Sequence, residues 1–190
     1  MSGTPLSEEQ IRAATIGEPR VLAGPVLLVE YDRAWPEAFR REAERIQGVL
    51  GDRALRIEHV GSTSVPGLAA KPIVDILLVV RDSADEPAYV PDMEAAGYVL
   101  RIREPGWYEH RLFKGPGTDI NLHVFSRACP EIERMVRFRD HLRMNEADRL
   151  EYERAKRALA GRTWKYVQNY ADAKSDVIEE ILTRASIDPS

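Results

Sequence analysis

A carboxylate inside an apolar strand is the first feature of this sequence that demands a chemical explanation. Asp75 stands within Ile73-Val74-Asp75-Ile76-Leu77-Leu78-Val79-Val80, a nearly continuous β-branched run of the kind that forms a central strand buried on both faces. An unpaired carboxylate in that setting is costly or is forced neutral. Asp75 therefore requires a metal ion, a cationic side chain or a set of backbone donors, and Lys71 lies just upstream, on the loop side of the strand start. The competing reading is a fold-stabilising aspartate that accepts hydrogen bonds from a nearby loop.

Two further groups stand where they can meet Asp75. Gly61-Ser62-Thr63-Ser64 follows a short strand over 56–60. Small residues there let backbone N–H groups approach an anion, and three hydroxyls add donors. The same composition also describes an ordinary loop. In the alternation Asp119-Ile120-Asn121-Leu122-His123-Val124, the polar residues share one strand face and the apolar ones the other. That polar face can line a cleft if its strand neighbours that of Asp75, or it can simply meet water. Asp119, at the strand start, reads as solvent-facing, whereas His123 is balanced between ligand and bystander. His59, just before the Gly-Ser turn, can orient the loop, touch a ligand or be a satisfied core histidine. His110 and His141 read as surface residues. Arg137, Arg139 and Arg143, with Lys156, can furnish a cationic wall for a phosphate-bearing ligand; Arg139 and Arg143 share a helix face. Each taken alone also fits a solvated face balanced by Asp140, Glu146 and Asp148.

The elements that must position these residues alternate in type. Residues 1–24 read as a helical appendage, with Ser7 and Gln10 as a capping box and Gly17 as its stop. The remainder, 25–190, reads as one domain. It begins with a strand over 26–31, then a helix carrying Pro36 in its first turn and ended by Gly51. After the two strands already described come a short helix over 91–96, a strand over 98–102, and two strands joined as an antiparallel hairpin by Gly115-Pro116-Gly117. From Pro130 onward the periodicity is helical, with apolar stripes for three helices. The pattern is α/β (α+β): a mixed sheet flanked by helices, with a helical C-terminal part.

Composition bounds the possibilities. The 190 residues suit one domain, and 44% hydrophobic with 31% charged residues excludes collagenous, disordered or disulfide-dense chains. A net charge of −4 argues against nucleic acid as a partner, although a local basic groove is compatible with it. Cys129 is the only cysteine, which removes intramolecular disulfides and cysteine-based zinc sites and suits the cytoplasm. No apolar run is long enough for a membrane span, and the N-terminus lacks the plan of a signal peptide.

Several motifs together resemble the GrpB family, which is assigned to the nucleotidyltransferase superfamily. They are Tyr31-Asp32-Arg33-Ala34-Trp35-Pro36 with Phe39, the long segment from Ile57 through Gly61-Ser62-Thr63-Ser64 to Leu68, Lys71-Pro72-Ile73-Val74-Asp75-Ile76, Asn121-Leu122-His123-Val124-Phe125, and Phe138-Arg139-Asp140-His141-Leu142-Arg143 with Tyr152 and Lys156. The likeness runs from about residue 26 to residue 185. It implies a nucleotidyltransferase-like fold in which a Gly-Ser turn holds nucleotide phosphates and leads to an Asp-bearing strand. Two carboxylates on that strand, and often a third from a neighbouring one, then bind divalent metal. On this sequence Gly61 and Ser62 fall at the turn and Asp75 at the first carboxylate, but the second position is Leu77, which cannot bind a metal.

The resulting expectation is a catalytic site in which Asp75 holds a metal or acts as general base, His123 ligates the metal or shuttles a proton, and Lys71 is a catalytic cation. Gly61, Ser62, Thr63, Ser64, His59, Arg139, Arg143 and Lys156 would bind phosphate. The ion would be Mg²⁺ or Mn²⁺, and an imidazole ligand shifts the preference toward Zn²⁺ or another transition metal. The implied activity is metal-assisted transfer of a nucleotidyl group, or related chemistry on a phosphate-bearing small molecule. The alternative is a degenerate relative that only binds a nucleotide or anionic metabolite.

Overall fold

Hydrogen-bonding pairs all the chain's apolar strand segments but one into a single sheet. In the computed structural model, which describes residues 6–22, 24–117 and 119–187, β1 (Arg56–Val60) runs antiparallel to β2 (Val74–Val80). On its other side β2 pairs in parallel with β5 (Ile120–Ser126), which continues antiparallel to β4 (His110–Lys114) and then to β3 (Val99–Glu104). The order β1-β2-β5-β4-β3 places the Asp75 strand second from one edge, covered on both flanks by neighbours. This is the expected mixed sheet, and the expected hairpin joins β4 to β5. Residues 1–5 and Ala23 of the expected appendage, residues 188–190 and Thr118 lie outside the described residues.

Register divides the sheet into two faces. Ile76, Leu78, Val80, Ile120, Leu122, Val124 and Phe113 point to a core built with α2 (Trp35–Leu50) and α3 (Val90–Ala95). Leu77, Val79, Val60 and Phe125 point the other way, onto α4 (Pro130–Met144). Behind α4 come α5 (Glu146–Ala160), α6 (Val167–Asp172) and α7 (Ser175–Ile187), so the third expected C-terminal helix is two helices with a turn at Lys174 between them. Among the described residues, no helix is long and apolar enough to cross a membrane.

The beginning of the chain differs most from expectation. Residues 26–31 do not form a strand; their only ladder contact is a single bridge from Val29 to Ala70. That bridge falls on the segment before β2, and the flank of β2 itself is taken by β1. The capping box at Ser7 and Gln10 is present and starts α1 (Glu8–Ala14). Residues 6–22 then lie along the body: Ile16 donates to Arg101 O on β3, Leu22 to Lys165 O, and Tyr166 Oη to Glu8.

Between α2 and β3, the buried Tyr98 hydroxyl donates to Glu42 Oε2 at 2.6 Å. Tyr98→Phe keeps the ring but leaves this buried carboxylate without its donor. It is expected to destabilise the fold by about 1–3 kcal/mol, read from the urea midpoint.

Candidate functional site

Asp75 reaches its position because parallel register sets it beside Asn121, and Leu77 beside His123. Asn121 Nδ2 donates to Asp75 Oδ1 at 2.7 Å, and His123 Nε2 stands 3.7 Å from the same oxygen. Asp75 keeps 26% and His123 21% of its side chain open to solvent, although both lie in the body of the sheet. Both therefore sit at the floor of a recess. Burial alone would raise the Asp75 carboxyl, but His123, Asn121 and the charge of Lys174 outweigh it and hold the carboxyl below its usual range.

The Gly-Ser turn closes one side of this recess. Gly61 adopts φ = +68°, and a Cβ on it would collide with Asp75 Oδ2. Only glycine allows the turn to press against the carboxylate. Ser62–Ser64 forms one 3₁₀ turn, whose first internal bond is from Ser64 N–H to Gly61 O. The N–H groups of Ser62 and Thr63 precede that bond and have no partner among the described residues.

A chain of polar groups leads away from Asp75 beneath the sheet surface. His123 Nδ1 is 3.1 Å from His110 Nε2, and His110 Nδ1 is 2.7 Å from Glu104 Oε2. His110 is 3% exposed, not the surface residue its sequence context indicated; antiparallel pairing of β3 with β4 sets it beside Glu104. Burial lowers the His110 pKa and so favours the neutral ring, with Glu104 opposing. The Glu104 carboxylate can only accept, so His110 donates from Nδ1 and accepts at Nε2 from His123 Nδ1–H. His123 Nε2 is thereby turned to Asp75 and the recess, where it donates to the carboxylate when it carries a proton and is open to a cation or a ligand when it does not.

Lysines surround the recess. The chain has only five, and four of them (Lys71 before β2, Lys114 ending β4, Lys156 on α5, Lys174 after α6) all feel the Asp75 charge. Lys114 Nζ bonds Asn121 Oδ1, the amide that holds Asp75. Lys156 is 2% exposed and donates to Ser62 Oγ at 3.0 Å and to Ala69 O. Lys71 and Lys174 place their ammoniums over the Tyr170 ring, at 5.4 and 4.8 Å from its centroid. Burial lowers all four, Lys71 to about 8 and Lys156 to about 7, with Lys174 adding to both shifts and Asp75 opposing. Sequence reading missed Lys114 and Lys174; the signal available was the scarcity of lysine in an arginine-rich chain.

The other expected residues are placed elsewhere. His59 pairs with Ile76 and so lies on the opposite sheet face from Asp75. There it stacks on Phe39 with centroids 4.9 Å apart and bonds Thr63 Oγ1. Ser64 Oγ is turned back to Gly61 O. Arg139 is buried against Glu58, Asp140 and the His59 carbonyl, and Arg143 donates twice to Ser64 O. These two arginines brace the turn from behind, through bonds to protein oxygens. Arg137 reaches Ser186 and His141 pairs with Asp148. Asp119 is exposed.

The donor set bears on the expected metal. Leu77 is 0% exposed and packs with Val60, Val79 and Phe125 under α4. The neighbouring strand offers Asn121 and His123 in place of a further carboxylate. Among the described residues, no group of three or more His, Cys, Asp or Glu side chains is arranged to hold an ion. A two-ion cluster bridged by carboxylates therefore does not fit this chain. Asp75 and His123 remain as the pair that would hold a single ion.

Gly61→Ala is expected to destabilise the fold by about 1–3 kcal/mol, from the positive φ and the contact with Asp75. Combining it with Asp75→Ala should recover part of that loss in a double-mutant cycle of urea midpoints. His59 supplies a pH signature. Burial, with Arg143 and Arg139, lowers its pKa from 6.5 to about 4 while Asp75 opposes. The unfolded chain takes up this proton below pH 6.5 but the folded chain only below about 4, so stability is lost as pH falls through that window. The wild-type minus His59→Gln difference in urea midpoint should shrink over the same interval.

Comparisons with known proteins agree with this architecture. The chain is 60% identical over 185 residues to UPF0157 protein BH1888 of Halalkalibacterium halodurans, covering 97% of this chain and 95% of the relative. It is 48% identical over 170 residues to UPF0157 protein SCO7215 of Streptomyces coelicolor, covering 90% and 88%. The crystal structure of conserved protein GrpB from Enterococcus faecalis superposes with a TM-score of 0.71 at 32% identity, covering 83% of this chain and 98% of that one. The family model described as GrpB protein matches residues 25–184, and the chain belongs to the GrpB family.

Proposed function

We propose that this GrpB-family protein transfers a nucleotidyl or related phosphorus-bearing group to a small hydroxylated acceptor. The carrying observation is the pressing of the Gly61 turn onto the ionised Asp75, beside His123 and with unpartnered N–H groups at Ser62 and Thr63. In this reading an acceptor hydroxyl attacks the phosphorus nearest the nucleoside and the bond to the departing pyrophosphate breaks. The hydroxyl proton passes to Asp75 or to His123 Nε2, whose orientation is fixed through His110 and Glu104. Lys71 and Lys156 offset charge on the phosphoryl oxygens. A single Mg²⁺, Mn²⁺ or Zn²⁺ held by Asp75 and His123 would supply a Lewis acid, and with Nε2 so occupied the proton would go to Asp75.

The test is incubation of the protein with each nucleoside triphosphate, Mg²⁺ or Mn²⁺ and a pool of hydroxylated small molecules. Products are read as pyrophosphate release and added mass. Asp75→Asn should lower turnover by about 100-fold or more. A second reading is a binding module without turnover, and the buried Leu77 at the second carboxylate position favours it. A ligand-induced rise in melting temperature with no product from any triphosphate would select that reading.

A further inference from the structure

We propose that Lys71, Lys114, Lys156 and Lys174 form a cradle for a linear triphosphate chain that needs no metal ion to bind. The inference rests on the site used in the proposed function and names the part of the ligand that this chain recognises.

The first observation is charge without compensation. Arginines across the molecule pair with carboxylates, and the fifth lysine, Lys165, pairs with Glu8. None of the other four lysines forms an ion pair with a carboxylate among the described residues; Asp75, itself engaged by Asn121, is the counter-charge all four share, with further fields from Asp119 on Lys114, Glu153 on Lys156 and Asp172 on Lys174. Arg20 adds to the field felt by Lys71 and Lys114. Folding has gathered like charges from four separate chain segments into one recess, against their mutual repulsion and desolvation.

The second observation is independent of charge. Tyr170 is 1% exposed, and its hydroxyl is the one buried side-chain polar atom without a partner among the described residues. Its ring carries two of the lysines, Lys71 and Lys174, so the orphan hydroxyl belongs to the same side chain that seats these ammoniums. The unpartnered Ser62 and Thr63 N–H groups add donors at the Lys156 side of the recess.

Charge matching selects the ligand class. A triphosphate chain carries about four negative charges along a line, against about two for a single phosphate or a dicarboxylate. Ammonium groups on flexible stems suit such a chain, because they act as point charges without a fixed fork geometry. The lysines also explain how the chain dispenses with a second metal ion at Leu77: the charge that such an ion would offset is met by side chains.

Inorganic tripolyphosphate in the presence of EDTA is the probe, titrated calorimetrically into the intact protein, with ATP and adenosine as the companion arms. Tripolyphosphate and ATP should bind without metal and adenosine should not. Lys114→Gln and Lys174→Gln should each weaken tripolyphosphate binding about tenfold or more, and Lys165→Gln should leave it unchanged. The ligand-free melting curve of each recess variant is recorded alongside, so that a loss of binding is read only from variants that remain folded at the titration temperature. Absence of tripolyphosphate binding by the wild type in EDTA overturns the proposal, as does equal binding by the recess variants. Nucleotidyl transfer that persists alongside such a failure would leave the proposed function standing. Metal-free binding with no transfer to any acceptor would uphold the cradle and remove the transferase.

Discussion

A carboxylate kept ionised inside a sheet is the constraint around which the rest of this molecule is arranged. Desolvation pushes Asp75 toward the neutral acid, and the fold resists with an amide from β5, an imidazole one register step along the same strand, and the field of nearby ammoniums. The opposing groups come from β5 and from Lys174 after α6, all distant from β2 along the chain, so the state of this carboxylate depends on the sheet being assembled correctly. A slip of one residue between β2 and β5 would turn Asn121 and His123 to the opposite face and strand the charge. The turn at Gly61 adds a steric condition, because it approaches the carboxylate more closely than any side chain allows.

Around that centre the protein accepts a local electrostatic cost. Arginines are used for pairing on the surface and at the braces behind the turn, where their planar forks reach carbonyls and carboxylates together. Lysines are reserved almost wholly for the recess, where burial and mutual repulsion pull their pKa values toward neutrality. A cluster of this kind weakens the ligand-free fold, and such an arrangement is typical of sites shaped for binding more than for stability. The apolar layers on the two sides of the sheet, with α2 and α3 on one and α4 on the other, hold these charges in place.

How much was legible in the sequence follows from the range of each interaction. The β2 run, the capping box at Ser7, the helix stop at Gly51 and the β4–β5 hairpin are set by neighbouring residues, and each is found where its local pattern places it. The segment over 26–31 has the composition of a strand but makes only the single Val29–Ala70 bridge, since which segments join the sheet is a property of the whole topology. His59 and His123 each follow an alternating pattern, yet one faces the α2 core and the other the recess. Only the pairing of their strands with β2 decides which.

The sequence alone determined that a charged residue lies in a central strand, that a glycine-serine turn precedes it, and that helices cover a mixed sheet. These are matters of residue type and short-range periodicity. Tertiary structure decided that His110 and Glu104 stand behind His123, that Arg139 and Arg143 brace the turn, and that Lys71, Lys114, Lys156 and Lys174 converge on one aspartate. The reason is physical: those contacts join elements far apart along the chain, and no local rule carries the register and helix packing that bring them together.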